Sequence, residues 1–183
     1  SPRSSELDIT NAEAVENYVE NFCPDVIFHC AAYTNVDGAE SDAENCYKIN
    51  VEGTKNLVRA AEQVDAKIIY ISTDYVFDGE NPEPYKVNDK ANPQSVYGKT
   101  KYEGELAVQK YPKHFIVRIA WVFGLNGHNF VKTMLKVAKN HAEVSVVDDQ
   151  IGSPTYTVDL ARFLADLAES DKYGVYHATN EGF

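Results

Sequence analysis

The chain has 183 residues and carries 17 Lys and Arg residues against 28 Asp and Glu residues, a formal net charge of −11. Its 44% hydrophobic and 25% charged content predicts a folded domain rather than a disordered chain. The acidic excess argues against nucleic-acid and anionic-membrane partners, because both bind basic surfaces. No stretch approaches the roughly 20 apolar residues of a membrane span. Since the start at Ser1 also has no apolar signal core, the sequence favours a cytoplasmic location.

The first half of the chain alternates helix-like and strand-like segments. The capping-box spacing of Thr10 and Glu13 predicts the start of a helix. Short apolar runs without alternation are typical of strands buried on both faces. Pro, Asn, Asp and Gly together predict a long loop, which in a compact domain is often functional. In order, we expect a helix at 10–22, a strand at 25–30, a helical region at 38–64, a strand at 67–72 and a loop at 78–93.

The second half continues the same alternation. Pro112 is expected to stop one helix, and another is amphipathic because Phe130, Met134 and Leu135 share one stripe. In order, we expect a helix at 95–111, a strand at 115–120, a helix at 129–140, a strand at 144–147, a helix at 158–168 and a strand at 175–177. Alternation of this kind predicts an α/β fold with a Rossmann-like, doubly wound parallel sheet. Ligands of such sheets bind beyond the carboxyl ends of the strands.

One pair of side chains has the spacing expected of residues that act together in acid–base catalysis. Tyr97 and Lys101 lie four residues apart on a predicted helix and therefore on one face. A lysine ammonium beside a phenol lowers the tyrosine pKa, which suits proton transfer to or from an alcohol oxygen. Thr73 ends a predicted strand, where its hydroxyl could bond the same oxygen. Taken alone, the spacing is a weak signal, and a surface Tyr and Lys on a helix is the favoured interpretation.

Small and polar residues elsewhere in the predicted strands and helices are weaker candidates for ligand binding. Ala31 and Ala32 follow a strand and would let a flat ligand approach the backbone, although close packing explains them too. Asn50 has poor helix propensity inside a helical stretch, which suits either a bond to the site or a solvent-facing position. His29 is expected to be a core residue. Neither the histidines nor the three cysteines show metal-ligand spacing, so no metal site is predicted.

Five segments in order resemble the extended short-chain dehydrogenase/reductase superfamily, and within it the dTDP-4-dehydrorhamnose reductase family. These are AAYT at 31–34, NVEGT at 50–54, STDYVFDG at 72–79, YGKTK at 97–101 and RIAWVFG at 118–124. Each segment is weak alone, but the ordered set is specific and the match runs from about residue 8 to residue 180. The resemblance implies reduction of the 4-keto group of dTDP-4-dehydro-L-rhamnose to dTDP-L-rhamnose. It implies NADPH or NADH as the cofactor, a dTDP-sugar as the substrate, and leaves a homodimer open.

The resemblance also implies roles for individual residues. Tyr97 would protonate the 4-oxygen, Lys101 would hold the nicotinamide ribose and tune Tyr97, and Thr73 would bond the substrate oxygen. The implied cofactor-binding residues are Asp8, Ile9, Ala31, Ala32, Thr34, Asn50, Ser72, Tyr97 and Lys101. The implied substrate-binding residues are Thr73, Asp74, Trp121, Gln150 and Thr155. For Trp121, core packing is the competing interpretation.

Three other functions are weighed against this one. The dTDP-glucose 4,6-dehydratases of the superfamily carry Asp-Glu after the strand-end Thr, whereas this chain has Asp74 and Tyr75, which disfavours dehydration. A regulatory subunit of methionine adenosyltransferase shares the fold and a similar Ser-Thr-Asp-Tyr-Val-Phe stretch, so a non-catalytic binding subunit is one alternative. A nucleotide-sugar epimerase is the other.

The sequence departs from the superfamily at both ends. It contains no glycine-rich G-x-x-G-x-x-G turn, whose backbone would cradle a pyrophosphate at a helix N-terminus. We therefore expect a fragment that is incomplete at the N-terminus, lacks the usual tail, and by itself binds the cofactor weakly or not at all. Residues 1–124 are expected to form a partial dinucleotide-binding domain and 125–183 a partial substrate-binding region. The choice between NADPH and NADH stays open.

Overall fold

The computed structural model describes residues 2–182 and has the predicted α/β architecture. Its helices are α1 (Ala12–Phe22), α2 (Val36–Ser41), α3 (Ala43–Tyr47), α4 (Thr54–Gln63), α5 (Val96–Val108), α6 (Phe130–Asn140) and α7 (Thr157–Glu169). Its strands are β1 (Val26–His29), β2 (Lys67–Thr73), β3 (His114–Ile119), β4 (Val122–Phe123), β5 (Thr155–Tyr156) and β6 (Gly174–His177). Among the helices of the described residues, none is long and apolar enough to cross a membrane.

The main sheet has four parallel strands in the order β1-β2-β3-β6. Alternate residues of β2 point to opposite faces, so Ile68 and Tyr70 pack with α1, α4 and the end of α5, whereas Ile69 packs with α7. Helices thus cover both faces, as predicted for a doubly wound sheet. Because all four strands run in the same direction, their carboxyl ends meet at one edge of the sheet.

Two local predictions about the first elements are wrong. The N-cap of α1 is Asn11 rather than Thr10, because the Asn11 side chain accepts the N–H of Ala14 at 3.1 Å. β1 is not buried on both faces, since Phe28 is 47% exposed. In the described sheet β1 has a neighbour on one side only, which is why an apolar run does not guarantee burial here.

The helical region expected over 38–64 forms, but it is interrupted. α2 and α3 are short, and a π-helical segment at Lys48–Gly53 leads into α4. Such wide turns inside helices are frequent at functional sites. The Ile9 side chain packs against Gly53 of this segment. A Cβ at Gly53 would lie only 2.6 Å from Cδ1 of Ile9, so a larger residue does not fit there.

The second half of the chain corrects two further expectations. The helix expected to reach residue 111 ends at Val108. No strand forms at 144–147, where the side chains are exposed. The small second sheet is instead built from β4 and β5, which pair in parallel through Val122 and Thr155. A strand needs a partner for its backbone groups, and none of the described strands lies beside 144–147.

The loop predicted at 78–93 follows a short 3₁₀ turn at Asp74–Val76 and is well ordered by its own side chains. The Asp78 carboxylate accepts hydrogen bonds from the Tyr85 hydroxyl, the Asn92 amide and the Glu80 N–H. These donors lower the pKa of Asp78 to about 2. The Phe77 ring stacks on Tyr85 with centroids 4.3 Å apart. It also meets the ring of His177 in β6 edge-on, with centroids 5.7 Å apart, which anchors the loop to the sheet.

Candidate active site

A cavity of about 400 Å³ opens at the carboxyl ends of β1, β2 and β3. Most of the side chains expected to carry chemistry line it, although they come from distant parts of the chain. The predicted residues in its lining are Ala32, Thr34, Ser72, Thr73, Asp74, Tyr97, Lys101 and Trp121. Cys30, Tyr75 and His128 also line it and were not predicted. The cavity therefore lies at the edge where a doubly wound sheet binds its ligands.

The helix α5 carries the acid–base pair and is firmly fixed at its first turn. The Ser95 hydroxyl caps the helix by accepting the Gly98 N–H at 3.0 Å, and the Glu40 carboxylate accepts the Val96 N–H at 2.7 Å. Gly98 packs directly on the loop after β2, because a Cβ there would lie 2.3 Å from the Tyr75 carbonyl oxygen. Residues 97 and 101 are thereby held over the ends of β2 and β3.

Replacing Gly98 by alanine is expected to destabilise the protein by about 1–3 kcal/mol, because the new methyl must displace backbone. Chemical denaturation of the Gly98→Ala variant measures this loss. Lys99→Ala is the matched control, since Lys99 is the next residue of α5 and is exposed. Equal free energies of unfolding for the two variants would show that α5 does not lie this close to Tyr75.

Lys101 is almost fully buried, with 2% of its surface exposed. Its ammonium donates to the Ile71 carbonyl at 2.7 Å and lies 4.0 Å from the centroid of the Tyr70 ring. Burial is the main reason that its pKa falls to about 7, and the nearby Glu105 carboxylate opposes that fall. A side chain that can be neutral or charged near pH 7 is therefore held inside the cavity wall.

This pKa predicts how stability changes with pH. Between pH 7 and the ordinary lysine value of 10.5, the unfolded chain keeps a proton that folded Lys101 has released. The free energy of unfolding should therefore rise with pH in this range. We expect the rise from pH 7 to pH 9 in urea titrations to be smaller in Lys101→Met than in the wild type. Lys99→Met should keep the wild-type slope, and an unchanged slope in Lys101→Met would contradict the shift.

Tyr97 shows the opposite of the predicted pKa shift. Burial raises its pKa to about 12, and the Asp74 carboxylate adds to the rise, while a hydrogen bond with the Thr73 side chain opposes it. The expected lowering by Lys101 is wrong for this structure, because the lysine ammonium donates to the Ile71 carbonyl and is itself partly neutral near pH 7. Tyr97 consequently keeps its proton at neutral pH, which is the state a proton donor requires.

Thr73, Asp74 and Tyr75 form the wall beside the phenol. The Thr73 hydroxyl donates to the Asp74 carboxylate at 2.9 Å and accepts the Tyr75 N–H at 3.2 Å. Burial raises the pKa of Asp74. The Tyr75 ring meets the Tyr97 ring edge-on, with centroids 5.6 Å apart. An aromatic ring thus stands at the position where the dehydratases carry a glutamate.

A buried ion pair, which sequence reasoning missed, ties α5 to the sheet. Glu105 is fully buried and accepts two hydrogen bonds from the Arg118 guanidinium, at 2.9 and 2.7 Å. The Ser72 hydroxyl donates to the same carboxylate at 2.5 Å. The Ser72 proton is therefore not available for a hydrogen bond to a ligand. Because Glu105 follows Lys101 by four residues, the spacing that singled out Tyr97 and Lys101 could have found it.

Asn50 is 1% exposed and ties the loop after β1 to α5. Its side chain accepts the Tyr33 N–H at 2.8 Å and donates to the Tyr33 carbonyl at 3.2 Å. It also donates to the Thr100 hydroxyl at 3.1 Å. The structure therefore places it as a support of the segment that carries Ala32 and Thr34, while its role in cofactor binding stays a prediction.

Other predicted residues lie outside the cavity lining. Ala31 is exposed next to it, and Asp8 caps the turn that leads to Thr10. Ile9 lies against the π-helical segment, and Gln150 is exposed. Their implied contacts with the cofactor or the sugar stay predictions. His29 is in the core as expected, with its Nε2 hydrogen-bonded to Thr54 and its pKa lowered to about 3 by burial.

Comparison with known proteins shows which family this chain belongs to. The family model of the RmlD substrate binding domain matches residues 1–183. The chain belongs to this family. A dTDP-4-dehydrorhamnose reductase of Aggregatibacter actinomycetemcomitans is 48% identical over 184 residues, covering 97% of this chain and 63% of that protein. The resemblance found in the sequence motifs is confirmed.

Solved structures of dTDP-4-dehydrorhamnose reductases include close matches to the fold of this chain. The crystal structure of dTDP-4-dehydrorhamnose reductase from Bacillus anthracis in complex with NADP has a TM-score of 0.96 and 46% identity, covering 99% of this chain and 65% of the other. The chain thus spans less than two thirds of the length of these relatives. A dTDP-glucose 4,6-dehydratase from Streptomyces venezuelae has a TM-score of 0.81 at 20% identity, covering 93% of this chain and 56% of the other, which shows a shared fold alone.

Proposed function

We propose that this chain carries the catalytic residues of an NADPH-dependent dTDP-4-dehydrorhamnose reductase. The observation that carries the proposal is the gathering of Tyr97, Lys101 and Thr73 around one cavity at the carboxyl ends of the strands. In the reaction, the 4-keto group of dTDP-4-dehydro-L-rhamnose becomes the 4-hydroxyl of dTDP-L-rhamnose. The name of the NADP-bound relative supports the choice of NADPH over NADH. The cytoplasmic location and the homodimer stay predictions.

The residues present fit the nicotinamide half of such a cofactor. The side chain of Ala32 is small enough for a flat ring to approach the loop after β1, and Lys101 offers an ammonium group inside the same cavity. Lys101 and Thr34 would hold the nicotinamide ribose side. When bound, the cofactor supplies a hydride to the carbonyl carbon. A pyrophosphate cradle of the glycine-rich type is not contained in these 183 residues.

Tyr97 and Thr73 would complete the reduction at the substrate oxygen. Once the carbonyl carbon has gained the hydride, its oxygen carries the electron pair and takes the phenolic proton of Tyr97. The raised pKa of Tyr97 keeps that proton available up to strongly alkaline pH. Thr73 would orient the same oxygen, since its side chain already lies beside the phenol and beside Asp74. As Tyr97 becomes a phenolate, a positively charged Lys101 would stabilise the new negative charge.

The position after Asp74 favours reduction over dehydration. Elimination of water needs an additional carboxyl group, and Tyr75 occupies that position with its ring against Tyr97. The fold shared with a dehydratase does not decide between the two reactions, because unrelated chemistries use the same scaffold.

The test, made with the full-length protein, is to follow substrate and cofactor together. We expect one NADPH to be oxidised for each dTDP-L-rhamnose formed, with nicotinamide absorbance and chromatography of the nucleotide sugar as the two measurements. An epimerase would give an isomerised sugar without net loss of NADPH. A binding subunit would give neither product, and either result would overturn the proposal.

A further inference from the structure

Trp121 has a backbone conformation that its own side chain does not favour. It follows β3, lines the cavity, and has a φ of 44°, in the left-handed region. Bulky L residues seldom adopt this region, because the Cβ crowds the backbone. Contacts elsewhere must therefore hold the residue in place.

Those contacts come from one buried threonine. Thr155 is 3% exposed, and its hydroxyl donates to the Ala120 carbonyl at 2.7 Å, with the Ala178 carbonyl also within reach at 3.2 Å. The same oxygen accepts the Ala120 N–H at 3.3 Å. The backbone N–H of Thr155 donates to the Trp121 carbonyl at 3.4 Å. The peptide groups on both sides of the Trp121 Cα are thus bonded to Thr155, and these two groups define its φ and ψ.

Gly152 supports the ring itself. A Cβ on Gly152 would lie 3.3, 3.4 and 3.6 Å from Cζ2, Cη2 and Cε2 of Trp121. The six-membered ring of the indole therefore rests against the Gly152 backbone. Since Gly152 lies three residues before Thr155, one short segment fixes both the backbone and the side chain of Trp121.

We propose that Thr155 is a positioning residue that holds the Trp121 indole as a wall of the cavity, with Gly152 as its backing. Thr155 is not among the residues that line the cavity, and its hydroxyl is already bonded to Ala120. In this role it affects the shape of the cavity through the position of Trp121. Its implied role as a direct substrate contact stays a prediction, and the positioning role does not depend on which reaction the cavity performs. A change at Thr155 or Gly152 moves the indole and reshapes the ligand space, while Tyr97, Lys101 and Thr73 stay in place.

Trp121 is the only tryptophan of the 183-residue chain, so its fluorescence reports this one indole. Thr155→Val removes the hydroxyl at nearly constant volume, and Thr155→Ser restores it. We expect Thr155→Val to shift the emission maximum and increase quenching by acrylamide, and Thr155→Ser to match the wild type. Thr157→Val is the matched control, since Thr157 is exposed and its hydroxyl lies beside Gly124. It should change neither the emission nor the quenching.

The proposal is overturned if Thr155→Val keeps the wild-type emission and quenching, or if serine does not rescue them. Circular dichroism shows whether each variant is folded. Gly152→Ala provides a second measurement that leaves Thr155 intact. Its methyl should displace the indole by a few tenths of an ångström and shift the emission. An unshifted emission in a folded Gly152→Ala protein would also overturn the proposal, whether or not the protein reduces a sugar.

Discussion

In the full-length protein, with the proposed reductase activity, replacing Tyr97 by phenylalanine is expected to lower kcat/KM for dTDP-4-dehydrorhamnose by about 10²- to 10⁴-fold, the usual contribution of a positioned general acid. The variant loses one oxygen atom and with it the only proton that Tyr97 can give to the substrate oxygen. The loss should appear mainly in kcat, because binding of the sugar does not require that proton. Oxidation of NADPH at saturating substrate measures it.

Tyr102→Phe is the control for this prediction. Tyr102 lies on the same helix, and it is not among the residues that line the cavity. The chemical change is identical, so the control should keep the wild-type rate. Thermal unfolding shows whether both variants fold equally well. If Tyr97→Phe turns over as fast as Tyr102→Phe, the proposed mechanism is wrong.

The second large effect is expected from the buried ion pair. Replacing Glu105 by alanine leaves the Arg118 guanidinium, 6% exposed, without its carboxylate. Removing one partner of a buried pair costs about 3–5 kcal/mol, because the remaining charge is neither solvated nor paired. Urea unfolding should therefore show a much lower free energy of unfolding. The rate of reduction should fall too, since Glu105 anchors the helix that carries Tyr97.

A matched pair of lysine and arginine variants tests the role of burial. Arg118→Met should be strongly destabilising, whereas Lys113→Met should change the free energy of unfolding by only about 0–1 kcal/mol, because its pair with Asp65 is largely exposed. Combining Glu105→Leu with Arg118→Met should recover part of the loss, since no unpaired charge then remains. Additive losses in the double variant would contradict the pairing.

The sequence predicted the elements that depend on local patterns. The buried strand β2, the helix α5 and the loop at 78–93 are confirmed, because apolar runs, helical spacing and turn residues act over a few neighbours. The strand expected at 144–147 is wrong, because apolar residues alone do not supply a partner strand. Pairing is a property of distant segments, and β4 with β5 formed instead.

By itself, the sequence determined the fold class and the face shared by Tyr97 and Lys101, since four residues along a helix always bring side chains together. Its ordered motifs also identified the family. Only the tertiary structure decided that Tyr97 has a raised pKa, that Glu105 pairs with Arg118, and that Thr155 supports Trp121. The physical reason is common to all three. Burial and contacts between residues far apart in the chain set these properties, and neither is visible in a local pattern of residues.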